Sequence, residues 1–161
     1  MGASEIRAVA WPIFAQSSRH RYPDWIRCAS TSDTEEIIRE SPEPYGLPAS
    51  VLGVVPRTVN EIDRNFVFVF YKVANQLSAQ ALISSATILG YAMAHEIGHV
   101  LLDQPGHSRS GVMKAIWTVN DMREMNNTWG MNFDPEQSGR IQAEVKRRMQ
   151  DQQTKMLASS P

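Results

Sequence analysis

The stretch Tyr91-Ala-Met-Ala-His95-Glu96-Ile-Gly-His99-Val-Leu-Leu102 reads as a single helix that carries chemistry. Its residues are helix-forming and largely apolar. Met93, Ile97 and Val100 stand at i, i+4 and i+7 and make a stripe that packs inward. Gly98 costs such a helix roughly 1 kcal/mol relative to Ala, which makes sense if another segment passes close by. On a helix, His95 and His99 are separated by about 40° and about 6 Å. Both imidazoles therefore reach one Zn²⁺ from the same face. Glu96 lies about 60° round from His99. It is not placed to be a third ligand of that pair, but it can meet a water that the metal activates. The motif thus points to hydrolysis of a carbonyl compound with Glu96 as general base.

Working toward the C-terminus, Asp103-Gln-Pro-Gly106 stops the helix near Leu102. A catalytic zinc needs a third protein ligand. His107, eight residues past His99 and just beyond the Pro-Gly break, is the leading candidate. An acidic ligand is the alternative, with Asp103, Asp121 and Glu124 as the choices. Trp117 and Trp129 could wall a side-chain pocket, although core packing is the simpler reading of each. Asp134-Pro-Glu-Gln137 has Asp at an N-cap, Pro in the first turn and Gln at the capping-box position. It predicts a last helix over residues 135–150, followed by a polar, fraying tail over 151–161.

Toward the N-terminus, Ser84 or Ser85 caps the central helix. A shorter helix is expected over residues 72–82. Residues 65–71, Asn-Phe-Val-Phe-Val-Phe-Tyr, are β-branched and aromatic, and the continuous apolar run predicts a strand buried on both faces. Val51, Leu52, Gly53, Val54 and Val55 form a short strand between Pro48 and Pro56, as edge strands often do. This strand is expected at the rim, antiparallel to its neighbour and open to an extended substrate. Residues 41–48 hold three prolines and a glycine and read as a loop. Residues 36–39 are a further candidate strand, as are 9–14 and 25–28. The expected fold is α/β, of the α+β kind: a small twisted mixed sheet packed on the histidine-bearing helix, with a C-terminal helix beneath.

At 161 residues the chain is expected to form one domain, over residues 1–150, with a real core. The net charge of −1 gives no basic footprint for nucleic acid. The longest apolar run is broken by His95, Glu96 and His99, so no membrane span is expected. A monomer acting on a peptide or protein substrate is expected. The lone Cys28 has no cysteine partner for a disulfide or zinc finger and reads as a buried thiol. His20 reads as an exposed residue. The N-terminus lacks the pattern of a signal peptide. The compartment is cytoplasmic on that reading, and secreted or periplasmic if a signal has been removed.

Past the central helix, His-Glu-Ile-Gly-His, His107-Ser and Gly111-Val-Met113 together resemble the metzincin zinc metalloproteases. The order of motifs over residues 47–148 is also similar to small bacterial zincin-like proteins. The resemblance implies three zinc ligands, His95, His99 and His107, with Glu96 as base and Met113 as the residue of a methionine turn beneath the metal. It implies a zinc-dependent endopeptidase with one Zn²⁺. The spacing departs from the metzincins: seven residues separate His99 from His107 where they have five, and Leu102 stands where they have glycine. An intracellular regulatory protease similar to the ImmA/IrrE group is an alternative, as is a non-catalytic zinc-binding module.

Overall fold

The computed structural model describes residues 35–56, 66–103 and 106–158. The expected strands at 9–14 and 25–28, together with His20 and Cys28, lie outside those residues. The described residues form a mixed α/β arrangement with a small three-stranded sheet and four α-helices. The strands are β1 (Glu35–Arg39), β2 (Gly53–Val54) and β3 (Phe66–Phe70). The sheet order is β1-β3-β2, with β1 parallel and β2 antiparallel to the central β3.

The β3 sequence dictates its central place. Val67 and Val69 on one face are fully buried. Val67 packs with Val55 and Val100, flanked by Ile97, so the helical stripe does cover this face. The other face is graded rather than sealed: Phe70 is buried, Phe68 is half-buried and Phe66 is 36% exposed. This corrects the expectation of burial on both faces. Cover there comes from Tyr45, whose ring lies 5.9 Å from both Phe68 and Phe70. Tyr45 belongs to a short 3₁₀ turn, Glu43–Tyr45, inside the proline-rich loop.

Tyr71 does not extend the strand but opens α1 (Tyr71–Ala81). That helix buries Val73, Ala74, Leu77 and Ala81 along one side and turns back through Leu82 in the left-handed conformation. The return places α2 (Ser85–Leu102) against the sheet. The Ser84 hydroxyl caps α2 by accepting from the Ala86 N–H, and Asp103 ends it with a φ of 51°. A six-residue helix, α3 (Val119–Glu124), follows the site loop and was not expected. Its start carries a reciprocal capping box between Thr118 and Asp121.

The last helix, α4 (Pro135–Ala158), begins with the expected reciprocal box: the Gln137 N–H donates to Asp134 Oδ1, and the Asp134 N–H donates to Gln137 Oε1. It then runs eight residues past the expected end at Gln150. Residues 151–158 are polar but rich in good helix formers, and Arg147 bridges one turn forward to Asp151 at 2.7 Å. Glu144 accepts from both Arg147 and Arg148, and these bonds hold its carboxyl near a pKa of about 2 against a desolvation cost. Contact between α4 and α2 is polar in part. Arg140 donates to the Leu102 carbonyl at 2.7 Å and Arg148 to the Val100 carbonyl at 3.3 Å. Two guanidinium groups thus satisfy the open carbonyls at the negative end of α2. Among the described residues, no helix is long and apolar enough to cross a membrane.

Candidate metal centre

Three histidines converge beside the middle of α2. His95 Nε2 and His99 Nε2 lie 3.1 Å apart. Two nitrogens bound at ~2.1 Å to one tetrahedral ion would stand roughly 3.4 Å apart, so the two imidazoles already hold close to a ligating separation. His107 completes the group. Its ring centroid is 5.2 Å from that of His95 and 4.8 Å from that of His99. One ligand atom from each of the three lies within 4.8 Å of the others. His107 Nε2 is buried and has no hydrogen-bond partner. A buried ring nitrogen without a partner is costly unless something else uses its lone pair. The residues therefore fit a metal ion. No described carboxylate belongs to the cluster. Asp121 is engaged by Lys114 at 2.5 Å and by Thr118, whose bonds outweigh burial and lower its pKa. Asp103 caps α2, and Glu124 sits exposed on α3.

The local chain explains how each ring is held. His95 is buried, and its Nδ1–H donates to the Val112 carbonyl at 2.7 Å. That bond fixes the tautomer and turns Nε2 toward the other two rings. Burial, then the proximity of His99, depresses the His95 pKa to about 3, although the bond to Val112 works the other way. The ring is thus neutral, as ligation requires. Burial also lowers the pKa of His107. Trp117 stands edge-on to His95 with ring centroids 5.7 Å apart, and it belongs to the core. Trp129, by contrast, is 86% exposed. It neither packs in the core nor walls the site.

The loop from His107 to Lys114 is closed on itself. The Ser108 N–H donates to the Met113 carbonyl at 2.8 Å, and the Lys114 N–H to the Gly111 carbonyl at 3.2 Å. Gly111 takes a φ of 73°, and a Cβ there would run into the Asn132 carbonyl, which also accepts from the Val112 N–H at 3.1 Å. The same loop thus supplies the third imidazole, the carbonyl that orients the first, and Met113. The Met113 side chain is fully buried, and its sulfur presses on the bare face of Gly98. Phe133 closes the same spot, with a ring carbon 2.9 Å from where a Gly98 Cβ would lie. This is the close passage that a glycine in mid-helix suggested. Gly98→Ala is expected to destabilise the protein by about 1–3 kcal/mol through overpacking, despite the better helix propensity of Ala. Urea unfolding of the metal-free protein checks this, and a stabilised variant would contradict it.

Glu96 points elsewhere, toward the sheet. It is 1% exposed and packs against Gly53, where an added Cβ would lie 2.7 Å from Oε1. Its carboxylate accepts from the Val55 N–H, while Oε2 has no partner. Burial pushes its pKa up to about 8, and the Val55 bond only partly offsets this. Of the expected strand over Val51, Leu52, Gly53, Val54 and Val55, only Gly53 and Val54 pair with β3, antiparallel and at the rim of the described sheet, and all five residues are buried rather than open. The side chain of Glu96 is part of that cover, a contact from a distant point in the chain that the local pattern does not disclose. No family model, curated protein or solved structure matches this chain.

Proposed function

We propose that this chain is a zinc-dependent endopeptidase of zincin-like fold, with His95, His99 and His107 as ligands and Glu96 as general base. The observation that carries the reading is the convergence of three imidazoles, two from α2 and one from the loop after it, beside a buried carboxyl one residue from the first ligand. Three protein nitrogens suit a tetrahedral ion whose fourth position serves water or substrate. When bound, zinc supplies a Lewis acid that polarises a scissile carbonyl and lowers the pKa of the attacking water. Glu96 takes the proton from that water and delivers it to the departing amine. Val112 keeps His95 in the ligating tautomer. Met113 fills the role of a methionine turn by supporting the helix at Gly98. The natural partner on this reading is an extended peptide.

Purified protein should contain one zinc and cleave members of a peptide library. Treatment with a chelator should stop cleavage, and Zn²⁺ should restore it. A second reading, a non-catalytic zinc module, draws on the near-complete burial of Glu96. Full zinc occupancy with no cleavage of any library peptide would favour that module and overturn the peptidase.

A further inference from the structure

The Phe70 N–H donates to the Leu52 carbonyl at 2.9 Å, and the register pairs Gly53 with Val69 and Val54 with Phe68. In an antiparallel pair, bonded and non-bonded positions alternate along the strand. Leu52 and Val54 therefore turn their main-chain polar groups toward β3, while Gly53 and Val55 turn theirs to the outer edge. Among the described residues no strand pairs with that outer edge, and an extended peptide would add there as a further strand. Its Val55 N–H is already taken by the carboxylate of Glu96. Gly53, two residues earlier on the same side, is the position where a side chain would push that carboxylate away. One oxygen of Glu96 thus lies along the strand, and the other is buried without a partner. A base seated in this way is sealed from the water it must deprotonate.

We infer that β2 is a latch: the Val55 N–H and the bare Cα of Gly53 seat Glu96 in the resting protein, and an extended peptide that pairs with β2 takes that N–H and releases the carboxyl. The inference rests on the endopeptidase reading for its purpose. It makes Gly53 and the Val55 main chain positioning groups and β2 the sensor of an extended substrate. Peptides too short to reach β2 leave the base latched and turn over slowly even when they reach the metal. The latch also accounts for an edge strand that is buried in the absence of substrate, a defence against unwanted strand pairing.

The test uses the metal-free full chain and amide NMR, with the Val54 and Phe70 amides as internal references because they bond across the β2–β3 pair. In E96A and in G53A, the Val55 amide proton should move upfield while Val54 and Phe70 stay in place. The Gly53 backbone is outside the left-handed region and the clash is with a rotatable side chain, so G53A should fold. E96A probes the same bond without touching the strand. Titrating wild type with an end-blocked, valine- and alanine-rich octapeptide should shift Val55, and an end-blocked dipeptide should not. With zinc bound, wild type should turn over the octapeptide faster than the dipeptide, and G53A should narrow that kcat ratio by about fivefold or more. An unmoved Val55 resonance in E96A, or an octapeptide that leaves Val55 untouched, overturns the latch. So does an unchanged kcat ratio in a G53A protein whose Val55 amide has moved. Failure of wild type to cleave either peptide sinks the endopeptidase reading instead, and the NMR result still decides the latch.

Discussion

Glu96→Gln is expected to leave zinc bound and the fold intact while lowering peptide hydrolysis by about 10²–10⁴, the usual cost of losing a general base. Gln keeps the size of the side chain and an oxygen that can still accept from Val55. It cannot take a proton. The same substitution should make the metal-free protein more stable at neutral pH. The sign follows from burial. Glu96 holds its proton in the folded state up to about pH 8, whereas in the unfolded chain it ionises at the ordinary 4.5. Its contribution to stability is therefore full below about pH 4.5 and is lost as pH rises toward 8. Gln removes that loss, so the gain in Tm over wild type should grow from pH 5 to pH 8. His95 acts in the opposite sense: its folded value of about 3 lies below the ordinary 6.5, so it costs stability as pH falls below 6.5. Comparing wild type with E96Q cancels that background. A variant that retains full peptidase activity would show that Glu96 is not the base.

Much of this site is legible in the chain because its signals are local. The apolar spacing of Met93, Ile97 and Val100, with Ser84 in front, marks α2 and its cap, and the structure starts the helix at Ser85. Gly98 announces a close neighbour without identifying it, and the neighbours prove to be Met113 and Phe133. Pro48 and Pro56 mark a rim strand, but its cover by Glu96 comes from a distant point in the chain and leaves no local trace. The Val112 carbonyl that orients His95 is a main-chain group, which no side-chain motif can report. The missed helix α3 did carry a signal, Thr118 three residues before Asp121, but its single turn and a half holds too few apolar positions to show a period. The tail beyond Gln150 looked polar. Helix propensity and the Arg147–Asp151 bridge continue the helix there without any buried face.

His95→Ala, His99→Ala and His107→Ala are each expected to lose zinc and, with it, all activity. The three differ in how they should fail. His95 and His99 are buried on a packed helix, and removing either opens a cavity beside a side chain that keeps its own desolvation cost. Those two variants should lose stability as well as metal. His107 is half-buried on a loop closed by backbone bonds, so His107→Ala should keep a wild-type unfolding midpoint when metal-free. Its zinc affinity should nonetheless fall by more than about 100-fold, beyond the 10–100-fold typical of losing an outer-shell partner. The contrast isolates ligation from folding. Asp121→Ala should cost some stability by leaving the part-buried Lys114 without this ion pair, Asp103→Ala should cost some because its φ of 51° is unfavourable for Ala, and Glu124→Ala should cost little; all three should retain one zinc per chain. Metal analysis with competitive zinc titration reads each case. Stoichiometric zinc in His107→Ala, with loss in Glu124→Ala, Asp121→Ala or Asp103→Ala, would replace the three-histidine centre with one completed by a carboxylate and remove the metzincin-like assignment.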